Sequence, residues 1–143
     1  MNKALKLYAR DSEDMRILSA HLQDAVGQIG DMAHLRDARR FVILFNRYCW
    51  EDTKTPLRVR SALQIGGVTS IQQRKLNQQK PDAVISLLSV QFEPKQAPAG
   101  EIGLIFAGGG EIRLEVEACE AILEDISSPW SARARPAHGD DEA

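Results

Sequence analysis

The apolar positions of this chain change period several times, and each change marks an element. Leu5-Lys6-Leu7-Tyr8-Ala9 reads as a short strand. Arg10-Asp11-Ser12-Glu13-Asp14 then reads as a helix start, with Asp11 or Ser12 as N-cap and acidic residues in the first turn, where the helix dipole favours negative charge. Met15, Leu18 and Leu22 recur at helical spacing, so this helix is predicted to run to about Ala25, with Gly27 and Gly30 at its exit.

Beyond it the period becomes strand-like. Residues 26–36 carry Ile29, Met32 and Leu35 into a tight turn at Arg36-Asp37-Ala38-Arg39. Residues 40–50 are apolar on both faces, as expected of a strand buried on both sides for most of its length. Glu51 to Pro56 is a polar loop. Residues 57–65 alternate, with Leu57, Val59, Leu63 and Ile65 pointing one way and Arg58, Arg60, Ala62 and Gln64 the other. Gly66-Gly67 marks a bend, and residues 68–76 read as a weaker strand with a basic end.

Residues 83–93 are the clearest long strand, with Val84, Leu88, Val90 and Phe92 inward and Ser86 interrupting that row. Glu93 to Gly100 is a hairpin connection. Ile102, Leu104 and Phe106, then Ile112, Leu114 and Val116, alternate on either side of a Gly108-Gly109-Gly110 turn. Cys119, Ile122, Leu123 and Ile126 return to helical spacing and predict a second helix from about Glu117 to Ser127, stopped before Pro129. Residues 131–143 have no apolar pattern and are expected to form a disordered tail.

Leaving out the N-terminal strand and helix, the string gives seven strands and a C-terminal helix. Short connections favour antiparallel neighbours. The expected fold is therefore α+β, mostly β and antiparallel: seven strands closed by a C-terminal helix, with an N-terminal strand and helix added. That element order resembles the pleckstrin-homology-like barrel. No motif accompanies the order, and the Trp that such domains carry in the closing helix is displaced here, to Trp130 just beyond it and Trp50 on a strand. One antiparallel sheet under two helices is the alternative. At 143 residues, a single domain over 1–130 can bury enough surface to fold without disulfides or a structural metal.

Charge adds an asymmetry. Residues 36–80 hold ten basic and three acidic residues, whereas residues 81–143 hold four and twelve. Within the middle third, Arg58 and Arg60 share a strand face, Arg36, Arg39 and Arg40 crowd a hairpin tip, and Arg47 follows along the same strand. Arg forks donate bidentately to phosphate oxygens, so these six are the candidate anion-binding residues. The competing reading is a solvated basic face paired with the acidic C-terminal part, and it carries more weight because charge runs are usually surface. Nucleic acid ranks lower still: Tyr48 and Trp50 lie near Arg47 as stacking candidates, but the net charge is −2.

Other chemistry finds little support. The three histidines, His21, His34 and His138, are scattered without metal-ligand spacing, so no metal or cofactor is expected. His21 and Asp24 can share a helix face, with Asp31 near the helix exit, as an acid/base set, but a helix-end salt link is the preferred reading. The triglycine lacks the Lys-Ser/Thr of a phosphate loop and opens a strand, so it is a turn. Cys49 and Cys119 sit in apolar segments and read as buried, reduced thiols of a cytoplasmic protein. No secretory signal or membrane-spanning helix is legible.

Ser19-Ala20-His21-Leu22-Gln23-Asp24-Ala25-Val26, then Gly30-Asp31-Met32, Arg40-Phe41, Asn46-Arg47 and Trp50-Glu51, together with the basic strand Leu57 to Leu63, resemble an alphaproteobacterial family known only as domain of unknown function 2948. The resemblance covers nearly all of residues 4–130. It implies a small, single-domain bacterial cytoplasmic protein and brings no catalytic residues. The expected function is a non-catalytic binding or adaptor module acting by contact with another protein or with a second copy of itself. An exposed apolar pair at Ile85 and Leu87, beside a strand edge at 83–93 able to accept an added peptide strand, is the proposed surface unless the first helix covers it. Recognition of a phosphorylated ligand or RNA by the basic face is the alternative, and a small enzyme comes third.

Overall fold

The computed structural model describes residues 4–132. β1 (Lys6–Ala9) leads into α1 (Ser12–His21), whose N-cap Asp11 accepts the Asp14 N–H at 2.8 Å. α1 ends sooner than the pattern predicts, at the C-cap Leu22, and Asp24 takes a left-handed φ of 64° that turns the chain into the sheet. The chain continues through β2 (Val26–Gln28), a 3-10 turn at Ile29–Asp31, β3 (Met32–Leu35), β4 (Arg40–Tyr48), β5 (Leu57–Ile65) and β6 (Val68–Arg74). It then forms β7 (Val84–Pro94), β8 (Gly100–Phe106), β9 (Glu111–Val116), β10 (Ala121–Asp125) and β11 (Trp130–Ser131). Among the described residues the structure is mostly β, 52% strand against 12% helical.

The eleven strands form one open antiparallel sheet in the order β1-β10-β5-β4-β2-β7-β8-β9-β6, with β11 on β5 and β3 on β4. This overturns the expected seven-strand barrel closed by a C-terminal helix. Residues 26–36 divide into two strands around the 3-10 turn, and the segment predicted as the closing helix, 117–127, forms β10. A short apolar run cannot be assigned by spacing alone. Here the run lies between β1 and β5, where both of its edges complete ladders: Leu123 stands opposite Leu7 on one side and Leu63 on the other. Ala121 and Leu123 are buried, while Ile126, the last residue of the supposed helical stripe, is 52% exposed. Ser131, placed by the pattern in the expected tail, pairs with Leu57; from residue 133 on, that expectation lies outside the described residues.

The sheet folds over at one corner. Gly67, with φ 67°, turns β5 into β6, and the link from β9 to β10 passes beside it. The Gly66 N–H donates to the Glu120 carbonyl at 3.0 Å and the Glu117 N–H to the Gly67 carbonyl at 2.9 Å, which ties the two crossings together. A single apolar cluster fills the fold, joining Met15, Leu18 and Leu22 of α1 to Phe41, Ile43 and Phe45 of β4 and to Ile102, Leu104 and Phe106 of β8. Each such side chain contributes about 1.5–3 kcal/mol over its exposed state.

Two inward faces differ from expectation. In β7 a register shift between Leu87 and Ser89 flips the alternation: Ile85 and Leu87 enter the core before it and Val90 after it, leaving Val84 and Leu88 exposed. A bulge does this because one extra residue moves every later side chain to the other face. The Ser86 interruption was the sequence trace of that flip. Ile85 and Leu87 therefore offer no exposed partner surface. β4 is buried along its inward row; on the outer row Tyr48 is buried, whereas Val42 and Leu44 are half-buried and belong to no part of the core cluster.

Candidate functional site

The six candidate arginines divide among three environments. Arg47 follows Phe45 on the inward row of β4, and its side chain is 0% exposed. Its Nε and Nη2 donate to Asp125 Oδ1 and Oδ2, both at 2.9 Å, in a bidentate fork. Nη1 and Nη2 also donate to Glu51 Oε1 and Oε2 at 3.0 and 2.7 Å. Asp125 further accepts the Ser61 hydroxyl at 2.7 Å and the Leu5 N–H at 2.9 Å. Burial by itself pushes the Arg47 guanidinium down and both carboxyls up, but the hydrogen bonds within the cluster win: Arg47 is held above, and Glu51 and Asp125 below, their ordinary values. All three guanidinium nitrogens are engaged with protein acceptors. The arrangement clamps β4, β5, β10 and the segment entering β1 together.

Arg58 and Arg60 share the outer face of β5, as their alternation predicted. Arg58 donates to the Asn46 carbonyl at 3.0 Å and lies 5.9 Å from the centre of the Tyr48 ring; burial pushes its guanidinium down. Arg60 donates to Asn46 Oδ1 at 3.1 Å and pairs with Asp31 at 3.3 Å.

Arg36 and Arg39 occupy the β3–β4 turn, which the Arg39 N–H closes by donating to the Arg36 carbonyl at 3.0 Å. Together with His34 they line an open groove of about 530 Å³ whose opposite wall is Val68 to Ile71 of β6. Its walls are two strand edges: among the described residues β3 pairs only with β4, and β6, the last strand of the sheet order, only with β9. At one end the Val68 N–H donates to the Arg39 carbonyl at 2.9 Å. Near the other end Gln78 Nε2 donates to Gln73 Oε1 at 2.7 Å and lies 4.0 Å from Met32 Sδ. Arg39 Nη1 reaches Glu117 at 2.8 Å, with both side chains more than half exposed. Arg40 does not line the groove; it pairs with Leu35, one position out of phase with His34 and Phe41, and so projects from the opposite face.

A family model described as a protein of unknown function, DUF2948, matches residues 5–138. The chain belongs to the DUF2948 family. No curated protein and no solved structure matches it.

The remaining candidates in this DUF2948 chain lie away from that groove. The outer edge of β7 from Leu88 onward, where a peptide strand was expected to add, faces α1: the Val90 N–H donates to Ser19 Oγ at 2.9 Å and the Ser12 hydroxyl to the Phe92 carbonyl at 3.3 Å. Those side chains cap the edge and leave beside it an open cleft of about 510 Å³. His21 Nδ1 lies 3.0 Å from the Ile17 carbonyl oxygen, a contact within its own helix. Both cysteines are free and buried, and burial pushes each thiol up to about 11. Among the described residues no group of His, Cys, Asp and Glu is gathered to hold a metal, and no helix is long and apolar enough to cross a membrane.

His34, Thr69 and Ser70 are the groove residues that sequence reasoning missed. Pairing opposite the buried Phe41 turns His34 to the inner side, at the mouth between the two edges. Nothing in the residue pattern says that β3 and β6, which lie more than thirty positions apart in sequence, come to face each other.

Proposed function

We propose that this protein is a non-catalytic binding module that holds an extended, acidic segment of another protein in the groove between β3 and β6. The observation that carries the reading is the pair of strand edges flanking a cleft lined by Arg36, Arg39 and His34. An unpaired edge presents backbone donors and acceptors to an added strand, which supplies affinity, while side chains along the cleft supply selectivity. Two arginines at one end favour acidic residues in that strand. The Arg39–Glu117 pair does not block the site, because an exposed pair is worth only about 0–1 kcal/mol and a bound carboxylate can replace it. The four residues of β3 set the scale: at about 3.3 Å per residue, the contact spans about 13 Å.

The test is NMR titration of the full chain with a short synthetic peptide alternating glutamate and valine. Amide shifts confined to Met32–Leu35 and Val68–Arg74, lost in the Arg36→Glu, Arg39→Glu double variant, support the reading. Shifts elsewhere, shifts that survive the charge reversal, or no response at millimolar peptide overturn it. A stronger response to inorganic phosphate or to a short RNA would move the site to the anion-binding alternative.

A further inference from the structure

The two-faced apolar pattern of β4 leaves one face of the sheet unexplained. Antiparallel partners project to the same side of a sheet, so the register defines what that face displays. Opposite residues across five strands give the row Tyr8, Ile122, Gln64, Val42 and Ala33. Beside it run Ala62 and Leu44, and Leu35 stands at the β3 end. Tyr8 is 49% and Leu35 48% exposed. None of Tyr8, Ile122, Val42 or Leu44 belongs to the core cluster or packs against it, and α1 buries its apolar stripe on the other side of the sheet.

We infer that this outer face is the contact between two copies of the chain. Size is the first argument. Six strands from β1 to β7 at about 4.8 Å spacing, with β4 and β5 each about 30 Å long, make a face of about 700 Å², close to the ~800 Å² per partner of a stable interface. Charge is the second. The face carries both signs, Lys6, Arg40, Arg58 and Arg60 against Glu124 and Asp31, with Lys6–Glu124 paired at 3.9 Å and Arg60–Asp31 at 3.3 Å, so a two-fold related copy meets no single-sign field. Two such faces pack about 10 Å apart, with their strands roughly 30° from parallel, as in a β-sandwich.

Light scattering on the full chain at micromolar concentration tests this. The expected mass is twice that of the 15.9 kDa chain, and Val42→Glu is expected to raise the dissociation constant at least tenfold while leaving the far-ultraviolet circular dichroism unchanged. If Val42→Glu does not fold, Tyr8→Glu at the half-exposed end of the row is decisive. The Arg36→Glu, Arg39→Glu variant must remain dimeric, which separates this face from the β3–β6 groove. A monomer up to millimolar concentration, or a dimer that survives every folded variant of the row, overturns the inference.

Discussion

Arg47 and Arg39 each pair with a carboxylate far away in sequence, and the two pairs do opposite things. Arg47 is enclosed, forked onto Asp125 and Glu51, with no face toward solvent. Arg39 meets Glu117 in the open, at the mouth of a groove. The chemistry is the same, so the difference lies in the water around it. Removing one partner of a buried pair strands a charge where it cannot be solvated, whereas an exposed pair exchanges its partner for water at small cost. Rigidity at Arg47 and exchangeability at Arg39 suit a structural clamp and a binding site respectively.

The comparison breaks first at Arg47. Arg47→Ala is expected to destabilise the fold by about 3–5 kcal/mol, leaving Asp125 and Glu51 uncompensated, as read from urea or thermal unfolding. An effect below about 1 kcal/mol would show that the cluster is wet and equivalent to the surface pair.

Acid pH probes the same cluster from the carboxylate side. Asp125 and Glu51 have lowered values in the folded chain, so they bind fewer protons when folded than when unfolded over that range. Their contribution is complete above the ordinary values of 3.8 and 4.5 and is lost as pH falls through the lowered folded-state values. The urea midpoint should therefore fall steeply below about pH 4, and Asp125→Asn should flatten that slope. A slope unchanged by Asp125→Asn would place the acid-sensitive group elsewhere.

The thiols give a kinetic contrast. With Cys49 and Cys119 both pushed up to about 11, reaction with a disulfide reagent at pH 8 should be roughly a hundredfold slower in the native chain than in urea. Faster labelling of Cys49 in the Arg47→Ala variant would locate the opening beside the broken clamp. The smallest effect belongs to the groove: Arg39→Ala should change stability by no more than about 1 kcal/mol. A larger loss would make the Arg39–Glu117 pair a structural element of the sheet corner and count against an exchangeable site.

Much of the element map is legible in the sequence because alternation, glycine bends and capping are local. β1, β5, β8 and β9 and the Asp11 cap follow the residue pattern closely. The errors fall where a distant strand decides. Residues 121–125 carry a spacing compatible with a helix, and only the two waiting edges of β1 and β5 make them a strand. The β7 flip leaves a trace in Ser86, but its direction depends on where the bulge seats against β8.

The residue pattern suffices to show a mostly antiparallel β fold with an early helix, and a middle third crowded with arginine. Tertiary structure alone decided which arginine is a clamp and which lines a groove. Arg47 and Arg39 are alike on paper, since burial and partners are properties of the assembled sheet. Asp125 and Glu117 reach them only because residues about 78 positions apart are folded into contact.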